Sequence, residues 1–322
     1  MRARAESSRP GLRAESDRQG SPGDRWARAR DYVALTKPGI VRMCLIMTAG
    51  GLWLAQSVGE SVGWPVWIAA LIGSSLAVAS ANAFNMVWER EGDRKMARTR
   101  TRPVAAGRLA VGPASVFAGL LGIAAMIVLA LGSNLLTTGL AAFALLSYVL
   151  VYTPLKRITP LALVIGAVPG AVPPLLGWTA VTNSLDLPGA VLFAILLVWQ
   201  MPHFLAISVF RKQDYANAGI RCVPVVRGET VAKIQAIAWA ALLIPISMAL
   251  TPLGVTGPIY LVAAVVLGLL FLGQAIRGLG SREPTADVRW SRQLFVLSLV
   301  YLPALTIALV IDLLWIAQEA RL

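Results

Sequence analysis

Nine apolar stretches, each close to the ~20 residues a helix needs to cross a bilayer, constrain this chain more than any other feature. They fall at about 39–58, 66–87, 112–133, 135–153, 160–181, 187–209, 233–251, 256–276 and 294–316. Bilayer hydrocarbon offers no water to backbone N–H and C=O groups, so a spanning segment must bond its own backbone or join a closed barrel. Continuous apolar runs of this length favour helices over the alternating pattern of barrel strands. The expected fold class is all-α, a polytopic membrane helical bundle with about nine transmembrane helices. With 57% of its residues hydrophobic, the chain is also too apolar for an ordinary soluble globule.

A formal net charge of +13 would suit a nucleic-acid binder, but its distribution points elsewhere. If nine spans alternate, all but Arg321 of the 29 lysines and arginines fall on one side. The positive-inside rule then places the N-terminus in the cytoplasm and the C-terminus outside. An inner (plasma) membrane location with no nucleic-acid partner follows, and a mitochondrial presequence fits less well because residues 1–30 also carry four acids. That segment is expected to be a disordered basic cytoplasmic tail, with residues 31–322 forming the transmembrane domain. Cys44 and Cys222 both lie near the reducing face and match no zinc or disulfide pattern.

Where the second span ends, the sequence turns abruptly into NAFNMVWEREGDRKMARTRTRP, residues 82–103. If the helix continues, Asn82, Asn85, Glu89 and Asp93 share one face, because residues three and four apart are neighbours. Glu89 and Asp93 would then stand roughly 6 Å apart along the axis, a sensible separation for carboxylates sharing hard cations. Arg90, Arg94, Lys95, Arg98, Arg100 and Arg102 surround them. Oxygen ligands suited to Mg²⁺ beside cations suited to phosphate suggest a diphosphate site.

Other segments offer weaker signals. Lys37, before Pro38, fits an interfacial anchor or a phosphate contact at the mouth of the site. Ser133-Asn134 marks a tight turn between the third and fourth spans, and Lys156 and Arg157 beyond them suit anchoring as well as substrate binding. In the fifth span, Pro169 to Gly177 reads as a packing helix or as a kinked wall widening a cavity. His203, the single histidine, follows Pro202; a structural hydrogen bond and a cavity role are both open. A shift of 121 residues carries Asn82 to His203, Asp93 to Asp214 and Pro103 to Pro224, suggesting two facing loops over one cavity.

The stretch NMVWEREGDRKMARTRTRP resembles the first aspartate-rich motif of the intramembrane prenyltransferases related to the 4-hydroxybenzoate polyprenyl enzymes. Its particular form is similar to that of the protoheme IX farnesyltransferases, or heme O synthases. LTKPGI (35–40), YTPLKRIT (152–159), VPPLLGW (172–178), WQMPHFLAISVFRKQDYANAG (199–219) and LFVLSLVYLP (294–303) agree, so the resemblance covers roughly residues 31–312. WQMPHF followed by DY and AG is the most specific part, because other branches carry a second two-aspartate motif there. Two positions depart: Ala162 stands where many members have asparagine, and Ala218, four after Asp214, precludes a second carboxylate pair.

The resemblance implies a bundle around one central cavity that opens toward lipid, capped by polar cytoplasmic loops. It implies Mg-dependent transfer of a farnesyl group from farnesyl diphosphate to a vinyl group of heme B, giving heme O and diphosphate. Asn85, Glu89, Asp93 and Asp214 would hold Mg²⁺ and serve catalysis. Substrate contacts are expected from Asn82, Lys95, Arg98, Arg102, Tyr152, Lys156, Arg157, His203, Arg211, Lys212 and Tyr215. Tyr148, Tyr152 or Trp88 would face the allylic cation. Expected partners include heme A synthase or oxidase assembly factors. A prenyltransferase acting on an aromatic quinone precursor is the alternative of the same fold; a transporter or lipid-binding protein is the alternative of another class. The clustering of acids at one face, rather than mid-membrane, disfavours a transporter.

Overall fold

A computed structural model describes residues 22–59, 61–280 and 283–319. Among them, nine helices are long and apolar enough to cross a membrane: Pro38–Val58, Trp64–Arg94, Val111–Gly132, Leu135–Leu155, Ala162–Thr182, Leu187–Phe210, Glu229–Met248, Pro258–Gly280 and Pro284–Glu319. These nine match the expected spans in number and order. The chain's punctuation explains where several begin. Proline occupies the first turn of the first, second, sixth and eighth, where its missing N–H costs nothing. Asn134 and Asp186 cap the fourth and sixth by accepting from Thr137 N at 2.8 Å and Gly189 N at 3.1 Å.

Two helices overrun the membrane. The second has 31 residues and the ninth 36, which at about 1.5 Å per residue is well beyond a hydrocarbon core of ~30 Å. The second helix therefore carries Glu89 and Asp93 out to the charged face on a rigid rod. The ninth begins at Pro284, ahead of the apolar stretch expected from about 294, so its first turns lie outside that stretch. A separate helix, Pro22–Leu35, starts inside the segment read as a disordered tail; residues 1–21 lie outside the described residues.

Small residues let the helices approach closely, as expected where lipid gives little hydrophobic drive between them. Gly73 faces Leu129, Gly132 faces Ala69, and Ser80 Oγ donates to Ala118 O at 2.7 Å, joining the second and third spans. Gly51 and Gly177 bring the first span against the fifth, which is the most buried of the nine. The fifth breaks at Ala171 into Ala162–Gly170 and Val172–Thr182, as its prolines require.

Buried polar groups tie the later helices together. At one end, Lys233 and Asp287 form a buried ion pair of 2.5 Å between the seventh and ninth spans. At the other, the fully buried Asp312 accepts backbone N–H groups of Gly257, Ile259 and Tyr260 at the start of the eighth. A carboxylate there answers the orphan donors and positive dipole end of that helix.

Candidate active site

Asn85, Glu89 and Asp93 do share one face of the second helix, and each is met by a cation from a different segment. Lys37 Nζ donates to Asn85 Oδ1 at 2.9 Å, and Lys156 Nζ to Glu89 Oε1 at 2.7 Å. Arg102 Nη1 lies 2.8 Å from both oxygens of Asp93, which is fully buried. Such charge-assisted contacts are among the stronger polar interactions in proteins.

Local backbone devices aim these cations. Lys37 has φ 51° and ψ 71°, a left-handed conformation that costs a non-glycine residue roughly 1–3 kcal/mol. Asn82 Nδ2 holds the same turn by donating to Thr36 O at 3.1 Å. The fourth span contains a π-helical turn, Ser147–Tyr152, a feature frequent at functional sites. Thr153 Oγ1 donates to Tyr148 O at 2.8 Å and accepts from Asn85 Nδ2 at 3.3 Å. The turn places the Tyr148 and Tyr152 rings 5.0 Å apart, with the Lys156 ammonium 4.2 Å from the Tyr152 centroid. After Asp93 the chain folds back, with Thr99 Oγ1 donating to Asp93 O at 3.0 Å, and this return presents Arg102.

Lys37, Asn85, Glu89, Asp93, Arg102, Tyr148, Tyr152 and Lys156 line one cavity of about 430 Å³. Its other wall comes from the sixth and ninth spans, with Phe204, Ile207, Phe210 and Phe295, and from the loop carrying Arg211, Tyr215, Arg221 and Cys222. The loops at 96–102 and 211–222 thus face one another, as the spaced correspondence between them suggests. Burial and the neighbouring Arg102 charge pull Lys37 down to about 7. Burial pushes the Tyr215 phenol up to about 12, leaving it a neutral hydrogen-bond donor near pH 7.

The remaining expected site residues divide. Arg98 lies on the rim. Lys95 and Arg157 are exposed and outside the lining; a Cβ built on Gly92 would come within 3.1 Å of the Arg157 guanidinium. Lys212 turns away to Glu229 at 2.9 Å. Asp214 pairs with Arg211 at 3.4 Å and does not line the cavity. Its short helix, Lys212–Asn217, presents Tyr215 inward, and the preceding side chain points about 100° away. Among the described residues no group of three His, Cys, Asp or Glu side chains forms, so Asp214 does not join Glu89 and Asp93. Asn82 is buried and positions the Lys37 turn rather than lining the cavity. Trp88 is exposed.

His203 sits one layer behind the wall. Its Nδ1 lies 2.7 Å from Ser298 Oγ, and its ring stacks on Trp199 and packs against Phe204 and Phe295. The structural role left open by the sequence is the one this geometry supports. Pro169–Gly177 does not widen the cavity either: Gly170 abuts Gln200, and residues 171–177 are buried among helices. Arg221 lines the cavity although nothing in the sequence separates it from the other arginines of the basic loops.

The sequence profile of the UbiA prenyltransferase family matches residues 44–315. The chain belongs to the UbiA prenyltransferase family. As a member it is a membrane prenyltransferase. A relative named protoheme IX farnesyltransferase in Myxococcus xanthus is 45% identical over 284 residues, covering 88% of this chain and 95% of that one. A protein of the same name in Sorangium cellulosum is 46% identical, covering 84% and 99%. Among solved structures, a digeranylgeranylglyceryl phosphate synthase superposes with TM-score 0.70 at 19% identity, covering 88% and 98%. A UbiA homologue from Archaeoglobus fulgidus bound to DMAPP and Mg²⁺ gives 0.62 at 13%, covering 85% and 99%. At such identities these structures speak to the fold of this UbiA member.

Proposed function

We propose that this UbiA-family enzyme transfers the farnesyl group of farnesyl diphosphate to a vinyl group of heme B, giving heme O and diphosphate. The observation that carries the reading is the row Asn85, Glu89 and Asp93, each paired with its own cation over a largely apolar cavity. The names of relatives 45–46% identical supply the substrates.

The donor set suits Mg²⁺: two carboxylates and an amide on one helix face are hard oxygen ligands. When bound there, Mg²⁺ would offset the negative charge that gathers on the departing diphosphate. Lys37, Arg102 and Lys156 are the diphosphate donors, each passing from a protein oxygen to a phosphate oxygen as substrate enters. The bond between farnesyl C1 and the diphosphate oxygen breaks, and its electron pair leaves with the diphosphate. The faces of Tyr148 and Tyr152 stabilise the allylic cation, and Phe204, Ile207 and Phe295 keep water from it. The terminal vinyl carbon then bonds to C1. Water adds to the new cation next to the macrocycle and releases a proton.

Purified chain given Mg²⁺, farnesyl diphosphate and heme B should form a product heavier by one farnesyl group plus the elements of water, read by mass spectrometry. 4-Hydroxybenzoate should remain unreacted. Prenylation of the phenol with no reaction on heme would replace this assignment by the quinone-precursor reading.

We also propose that the site faces the cytoplasm of a bacterial inner membrane, on the partition of basic residues. A reporter that is active only in the cytoplasm, fused after Leu322, should be silent. Activity there would overturn the orientation.

A further inference from the structure

We infer that the cavity contains two separate anion subsites, and that Arg211 and Arg221 form the second, which holds the carboxylates of a flat, apolar acceptor. The inference rests on the proposed reading, since heme B carries two propionates. Six cations line the cavity: Lys37, Arg98, Arg102, Lys156, Arg211 and Arg221. Three of them are committed to the Asn85–Glu89–Asp93 face by contacts of 2.7–2.9 Å.

Arg211 and Arg221 belong to the opposite wall and make no contact with that face. Arg211 meets Asp214 at 3.4 Å with 41% of its side chain exposed, a geometry in which ion pairs contribute little. Arg221 Nη1 donates only to the Ile158 carbonyl, at 3.2 Å, and no described carboxylate lies within ion-pair range of it. Its backbone N–H donates to Lys156 O at 2.9 Å, which fixes the loop carrying it against the end of the fourth span.

The surroundings of these arginines set the kind of anion. Phe204, Phe210 and Phe295 line the wall beside them, and the Arg211 guanidinium carbon lies 5.6 Å from the Phe210 centroid. A guanidinium fork matches a carboxylate, and aromatic faces match a flat conjugated ring. A diphosphate needs no aromatic wall, and a small phenolic acid brings one carboxylate to two arginines. The dicarboxylate edge of heme therefore rests on this wall, and its vinyl edge reaches toward the diphosphate cradle.

The test titrates purified full-length chain with heme B, followed by Soret absorbance, in wild type, Arg211→Gln, Arg221→Gln and the double variant. Binding of farnesyl diphosphate with Mg²⁺ is measured in parallel, and heme B dimethyl ester, whose propionates are uncharged, is titrated as the carboxylate-free probe. Each single substitution should weaken heme B about tenfold, the scale of one lost charged hydrogen bond. Farnesyl diphosphate affinity should stay within about twofold, because its donors lie elsewhere. The ester should bind wild type as weakly as heme B binds the double variant. The assignment is overturned if diphosphate affinity falls as far as heme affinity in folded variants, or if the ester binds wild type as well as heme B. Should a substitution impair folding, the ester comparison on wild type decides alone. If wild type prenylates heme while variants and ester behave normally, only the subsite fails. If wild type binds no heme, the proposed function fails with it.

Discussion

Asp93→Asn and Glu89→Gln should each lower turnover by about 10²- to 10³-fold, the scale seen when one group stabilising developing charge is removed. Each substitution keeps the shape of the side chain and removes its charge. Arg102, Lys156 and a Lys37 that is only partly charged near pH 7 face two carboxylates, so losing one carboxylate leaves the resting site more positive. That extra charge favours the substrate's diphosphate in the ground state even as a metal ligand is lost. The defect should therefore appear in kcat more than in the affinity for farnesyl diphosphate.

Asp93→Asn should be the more severe of the two. Asp93 is fully buried and offers both oxygens to Arg102, whereas Glu89 meets Lys156 through one oxygen and keeps some exposure. Removing one partner of a buried pair typically costs about 3–5 kcal/mol, but Arg102 opens to the cavity and keeps 20% exposure, so much of its charge remains solvated. The folded protein should persist. Single-turnover product formation, read beside thermal unfolding in detergent, separates chemistry from stability. Near-normal turnover in both variants would show that the carboxylates merely neutralise Arg102 and Lys156.

The sequence made the spans legible because length and apolarity are properties of each segment alone. Asn85, Glu89 and Asp93 could be placed on one face for the same reason, since an uninterrupted helix fixes spacing to direction. Lys156 could be named but not aimed, because its direction depends on the π turn at Ser147–Tyr152, which no residue pattern announced. Asp214 and Tyr215 are adjacent in sequence, and only the turn of their short helix decides that Tyr215 lines the cavity. His203 looked available because Ser298 lies 95 positions away. The run Pro169–Gly177 carried a true packing signal and a false cavity signal, and the helices that fill its flank are distant in the chain.

That run also yields the second large effect. Gly177→Ala and Gly51→Ala should each destabilise the protein by at least about 2 kcal/mol, toward the upper range for overpacking a close helix contact. A Cβ at Gly177 would meet the Thr48 carbonyl oxygen and come within 2.6 Å of Leu52 N; one at Gly51 would meet the Pro174 carbonyl oxygen. These obstacles are backbone atoms, so no rotamer change relieves them, and the first and fifth spans must separate. The first span begins just after Lys37, whose ammonium holds Asn85 at 2.9 Å. A shift at Gly51 therefore carries to the site, and turnover should fall along with stability. Gly139→Ala is the control, because its added Cβ meets nothing within 4 Å and alanine favours a helix by up to about 1 kcal/mol. Thermal unfolding in detergent should rank Gly177→Ala and Gly51→Ala well below Gly139→Ala. Equal midpoints for all three would mean that the spans part without cost, and that the contact between the first and fifth does not hold the Lys37 turn in place.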